Sequence, residues 1–184
     1  MAATYYVNNK PNKVPHALYQ IIPSPISDWL LGATNKGICF LSHFNNIFLS
    51  DYSTVKSNHI HDLDKSGLTL AHLLNGEEQL TAYFDGLLEY FNLELDIVVG
   101  TPFQKKTWQA LTTINFGDTC SYQSIATRIG NVKACRAVGA ANRVNPISII
   151  IPCHRVIGKS GKLTGYANGL DIKEYLLEHE SKLC

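Results

Sequence analysis

The sequence has no two cysteines spaced as CxxC, no apolar run near the roughly 18 residues of a membrane span, and no internal repeat or low-complexity tract. Its five cysteines, Cys39, Cys120, Cys135, Cys153 and Cys184, form an odd and scattered set. That pattern argues against a disulfide framework and against a thiolate zinc site, and free thiols point to a reducing compartment. Met1 to Tyr6 holds no basic stretch ahead of an apolar one, so a secretory leader is not expected. The expectation is a soluble, cytoplasmic chain, nuclear if the source is eukaryotic, with no membrane partner. At 184 residues, 45% of them hydrophobic, it can bury a core without covalent staples.

Net charge is also nearly absent, at +1, but only in the sum. Residues 1–97 carry 5 Lys and Arg against 10 Asp and Glu, a net −5, while residues 98–184 carry 11 against 5, a net +6. A basic half attracts a phosphate backbone, although lysines on a solvated face would give the same count.

What is present divides near residue 97. Trp29 to Thr34, Asn35-Lys36-Gly37 and Ile38 to Leu41 read as a hairpin, Ile47 to Leu49 as a further strand, and Gly76 to Phe91 as a helix with Leu80, Phe84, Leu87, Leu88 and Phe91 at helical spacing. Leu93 to Val99 reads as an extended connector. An α/β unit over 1–97 is therefore expected to precede a second unit over 98–184. In the second, Thr101 caps a helix opened by Pro102, with Phe103, Trp108, Leu111 and Ile114 on one face. Ser121 to Ile129, a turn at Gly130-Asn131, and Lys133 to Asn142 make a helix-turn-helix. The second of these helices is lined with small residues, Ala134, Ala137, Gly139, Ala140 and Ala141, which permit close approach to another surface or tight packing against a neighbouring helix.

Ile147 to Ile151 is a β-branched run that predicts a buried strand delivering Pro152-Cys153-His154-Arg155-Val156. Successive side chains on a strand face opposite ways, so Cys153 and His154 share a site only where the chain bends, as Pro152 allows. Histidine and arginine neighbours lower a thiol's pKa, and the thiolate is the form that attacks carbon. A buried inert cysteine accounts for Cys39 or Cys135 without further argument.

The stretch Pro152 to Val156, with Asn145-Pro146 upstream, resembles the active-site motif of the O6-alkylguanine-DNA alkyltransferase family. The resemblance continues through Thr101-Pro102-Phe103-Gln104, Trp108, Ser121-Tyr122, Arg136-Ala137-Val138-Gly139, Gly165-Tyr166 and Lys173 to Glu180, covering roughly residues 98 to 180. It implies a ribonuclease-H-like α/β N-terminal domain and a mainly helical C-terminal domain with a winged helix-turn-helix. It also implies transfer of a methyl or other alkyl group from O6 of guanine in DNA, with O4 of thymine a second candidate, to Cys153, once and irreversibly. His154 would be the base, Glu180 its orienting acid on a helix that Asp171 and Glu174 cap as a capping box, and Tyr166 the proton donor to the leaving guanine. Asn145 would hold the active-site turn, and Val156, Ala167 and Asn168 would line the base pocket. Arg136 would fill the gap left by a flipped nucleotide, Tyr122 would press on its phosphate, and Gln123, Asn131 and Lys159 would contact phosphate or sugar.

Two departures stand out. Asn168 occupies a position where many relatives carry glycine, which narrows the pocket. Some relatives bind zinc in the N-terminal half, but Cys39, His43, His59, His61 and His72 do not reproduce that ligand set, so neither metal nor cofactor is expected. The partner implied is double-stranded DNA, with single strands a further candidate, met by a monomer whose cooperativity on DNA stays open. A cysteine hydrolase built on Cys153, His154 and Glu180 and a non-catalytic lesion sensor of helix-turn-helix type are the competing readings.

Overall fold

The computed structural model describes residues 16–43, 53–56 and 67–183. Four strands, β1 (His16–Ile22), β2 (Trp29–Thr34), β3 (Gly37–His43) and β4 (Ser53–Lys56), form one sheet in the order β3-β2-β1-β4. Neighbours pair antiparallel except β1 and β4, which run parallel. The hairpin read from Trp29 to Leu41 is the β2–β3 pair, its turn lying between Thr34 and Gly37. The strand expected at Ile47 to Leu49 lies outside the described residues.

Helix α1 (Leu68–Phe84) packs on this sheet, beginning earlier and ending earlier than its apolar spacing predicts. Gly76 is the reason for the first error: it sits inside the helix as a point of close approach, not at its start. A Cβ there would lie 2.9 Å from Ile38 Cδ1 and 3.0 Å from Leu31 Cδ2. Past the helix, Leu95 makes a parallel bridge to Ile38 of β3, with Ile38 N–H donating to Glu94 O and Asp96 N–H to Ile38 O, both at 2.8 Å.

The remaining elements are α2 (Pro102–Leu111), β5 (Cys120–Ser121), α3 (Tyr122–Arg128), α4 (Cys135–Arg143), β6 (Val156–Ile157) and α5 (Leu170–Ser181), with β5 and β6 paired parallel. Thr101 caps α2 through a full capping box with Gln104, and Pro102 opens the helix as expected. The expected capping box of Asp171 and Glu174 does not form. Gly169 occupies that N-cap with φ 102°, and no side chain caps the helix. A glycine is favoured there because φ 102° is a conformation that L side chains rarely adopt.

The run Ile147 to Ile151 is a turn, not the predicted strand. Only Ile147 pairs, in a single parallel bridge to Leu41, and Ile149 takes the left-handed φ of 68°. The β-branched residues are there for burial: Ile147, Ile149 and Ile151 are each at most 1% exposed. One hydrophobic core runs from the sheet through α1 to Trp108, Val138, Cys153 and Leu176, so both halves of the chain share it. No described helix is long and apolar enough to cross a membrane.

Candidate active site

The site is assembled against the outer edge of β3. Leu41 donates its N–H to Pro146 O at 2.9 Å and accepts from Ser148 N–H at 2.8 Å, which pins the turn leading to Cys153 onto the sheet. Asn145 braces the same turn from within. Its Nδ2 donates to Ile151 O at 2.8 Å and to Cys153 Sγ at 3.1 Å, and its Oδ1 accepts from Ile147 N–H at 3.1 Å. Cys153 to Arg155 form a 3-10 turn after Pro152, the bend that adjacent Cys153 and His154 require.

Cys153 is 4% exposed, and burial pushes its thiol above the ordinary value against the opposing pull of Asn145 and Lys173. This corrects the expectation that His154 and Arg155 lower it. Both side chains turn to Glu180 instead: His154 Nε2 lies 2.8 Å from Oε1, and Arg155 donates from Nε to Oε2 at 2.9 Å and from Nη2 to Oε1 at 3.0 Å. Tyr83 OH adds a bond to Oε1 at 2.8 Å and Gly117 N–H one to Oε2 at 3.2 Å. Although burial alone would raise the Glu180 carboxyl, bonds from His154 and Arg155 hold it down at about 2.

An ionised Glu180 only accepts, so His154 Nε2 carries the hydrogen and Nδ1 is bare. Nδ1 is buried with no hydrogen-bond partner, which is an acceptor in waiting. Burial lowers the His154 pKa, outweighing the carboxylate beside it, so the ring is neutral and able to take a proton. The Tyr166 hydroxyl is likewise buried and unpartnered. Burial, and then the nearby Cys153, raise it well above the usual phenol value, so it keeps its proton.

Asn168 is buried and donates from Nδ2 to Ser148 Oγ at 3.0 Å. Ala167 is exposed beside it, and Val156 is buried. The Val156 carbonyl accepts from Lys173 Nζ at 2.6 Å. The surface residues divide. Arg136 on α4, Asn131 in the turn before it, and Lys159 are exposed, whereas Tyr122 OH donates to Thr164 O at 3.2 Å and Gln123 Nε2 to Val132 O at 2.7 Å. The last two brace the loops around them. Trp108 Nε1 donates to Ala141 O at 2.9 Å and fixes α4 from below.

Three contributors escape a sequence reading. Lys173, fully buried, reaches Val156 O and Thr164 O; the resemblance spans it without giving it a role. Tyr83 looks like one more core aromatic of α1. Ser148 is hidden in an isoleucine run. Among the described residues no His, Cys, Asp and Glu group could hold a metal ion, and His59 and His61 lie outside them.

Residues 102–182 match the model of the 6-O-methylguanine DNA methyltransferase DNA-binding domain. The methylated-DNA–protein-cysteine methyltransferase of Methanosarcina barkeri is 47% identical over 88% of this chain and 96% of its own, and that of Methanosarcina mazei is 48% identical with the same coverage. The solved O6-methylguanine methyltransferase of Mycobacterium tuberculosis is similar with a TM-score of 0.76 and 40% identity, over 91% of this chain and 94% of that one. A structure of that protein in complex with DNA is equally similar. The chain belongs to the methylated-DNA–protein-cysteine methyltransferase family.

Proposed function

We propose that this protein repairs DNA by direct reversal, moving an alkyl group from O6 of guanine to Cys153 in one irreversible event. The observation that carries the reading is a buried thiol next in sequence to a buried His154 whose Nδ1 is without a partner and whose Nε2 is held by an ionised Glu180. The thiol proton passes to Nδ1 through a water as sulfur attacks the alkyl carbon; the S–C bond forms as the O6–C bond breaks. The departing guanine takes a proton from Tyr166, so that, once His154 has restored the phenol, a proton has moved from sulfur to base. The product is a thioether, which water does not cleave as it cleaves the thioester of a cysteine hydrolase, so the transfer ends with Cys153 alkylated.

The target lies in a duplex and has to be flipped out at a cost of a few kcal/mol. Arg136, exposed on α4, suits the vacated gap, while Tyr122, Gln123, Asn131 and Lys159 suit the flanking phosphates and sugars. Val156, Ala167 and Asn168 would line the pocket, and Asn168 would disfavour bulky alkyl groups. We read α3 and α4 as a winged helix-turn-helix in a unit over 98–184, and the sheet with α1 as a ribonuclease-H-like unit over 1–97. The protein would act as a monomer, inside the cell where Cys153 stays reduced.

Intact-protein mass spectrometry after mixing with excess duplex carrying O6-methylguanine tests the reaction. One added methyl, stopping at one equivalent and absent from Cys153→Ala, is expected. Tight DNA binding without any mass change would overturn the reading in favour of a lesion sensor.

A further inference from the structure

Glu180 takes one of its hydrogen bonds from the N-terminal half of the chain. Tyr83 lies 97 residues away in sequence, in the last turn of α1, and its hydroxyl donates to the same Oε1 that engages His154. The main-chain carbonyl of Tyr83 also faces His179 Nε2 at 2.7 Å, so two successive residues of α5 are tied to one residue of α1. The ring is 0% exposed, gripped by Phe84, Phe91, Phe116 and His179 at centroid distances of 5.3, 5.4, 6.1 and 5.2 Å.

A phenylalanine would satisfy that packing. What the phenol adds is a donor aimed at a buried carboxylate, and burial next to Glu180 suppresses its ionisation, so it remains a donor wherever the protein is folded. The charged and titratable groups around the pair are few. Glu180 and Lys173 face His154 from α5 and Arg155 faces it from the adjacent position, while Arg155 and Tyr166 lie near Tyr83 and the His179 ring packs on it. An oxygen that serves His154, Arg155 and Tyr83 holds an imidazolium less tightly than one that serves two donors.

We propose that Tyr83 is a positioning residue for alkyl transfer: its hydroxyl shares Glu180 Oε1 with His154 and sets how strongly that carboxylate holds the imidazole as it takes up the thiol proton. The proposal rests on the reading of His154 as the base. It gives the N-terminal half a part in the chemistry as well as in the fold.

Single-turnover methyl transfer from O6-methylguanine duplex, followed across the acid limb of the pH–rate profile, tests it. In Y83F the carboxylate serves one donor fewer, His154 protonates more readily, and the limb moves to higher pH by roughly half a unit or more. F84L perturbs the same ring packing without touching Glu180, and is expected to melt earlier with its limb in the wild-type place. A Y83F limb superimposed on wild type overturns the proposal, as does an equal shift in F84L. If Y83F does not fold, 3-fluorotyrosine installed at position 83 keeps the packing and donates more strongly, so the limb moves the opposite way; an unmoved limb overturns the proposal. Absence of transfer by the wild-type protein would sink the reading of the reaction itself and leave Tyr83 out of account, which separates the two failures.

Discussion

Glu180 accepts five hydrogen bonds at 1% exposure, so its removal leaves several buried donors without a partner. Glu180→Gln leaves the Arg155 guanidinium buried without its counter-charge, a loss expected to be about 3 to 5 kcal/mol in urea titration. Acid acts on the same pair. Both Glu180 and His154 have folded pKa values below their unfolded ones, so each stabilises the protein above its unfolded value and loses that contribution as pH falls towards the folded one. His154 weakens the fold first, below its ordinary value of 6.5, and Glu180 follows between 4.5 and about 2. Melting temperature measured from neutral pH downward should therefore fall in two stages, and His154→Gln should remove the first. Asn145→Ala is a separate case. It strips bonds from the thiol and from Ile151 O, and a transfer rate within twofold of wild type would contradict the bracing role given to this side chain.

Local signals make some elements readable and hide others. The Thr101-Pro102 start of α2 is legible because cap and helix are one short motif, and Thr101→Ala is expected to cost about 1 kcal/mol in thermal or chemical denaturation. The succession of α3, a turn and α4 is legible for the same reason, since Gly130 at φ 75° supplies the turn. The turn after Asn145 is not, because four isoleucines among the five residues 147–151 specify burial and leave the backbone course to tertiary bonds with Leu41. Gly76 misleads likewise: its function is contact with Ile38 and Leu31, which no local pattern reports. Of the site itself, Cys153, His154, Glu180, Asn145 and Tyr166 follow from the motif and its resemblance. Tyr83, Ser148 and the pinned Lys173 do not, because their partners come from other elements.

At the level of the whole molecule, the core runs without interruption from the sheet to α5, and β3 holds the active-site turn by main-chain bonds. Urea unfolding followed at Trp29, in β2, and at Trp108, in α2, is expected to give coincident curves, and separated midpoints would show two independent units. The charge division acts at this scale too. With the basic residues in the second half, Lys159→Ala should lower the slope of log affinity against log salt by about one unit if it meets a phosphate, and leave the slope unchanged if it does not.

The burial of Cys153 has a further meaning for a protein that reacts only once. Any encounter with a stray electrophile would end its working life as surely as repair does, so its useful lifetime depends on chemical reticence between lesions. A thiol kept protonated and 4% exposed reacts slowly with small alkylating agents. Burial thus protects the free protein from spending its one reaction before it meets DNA.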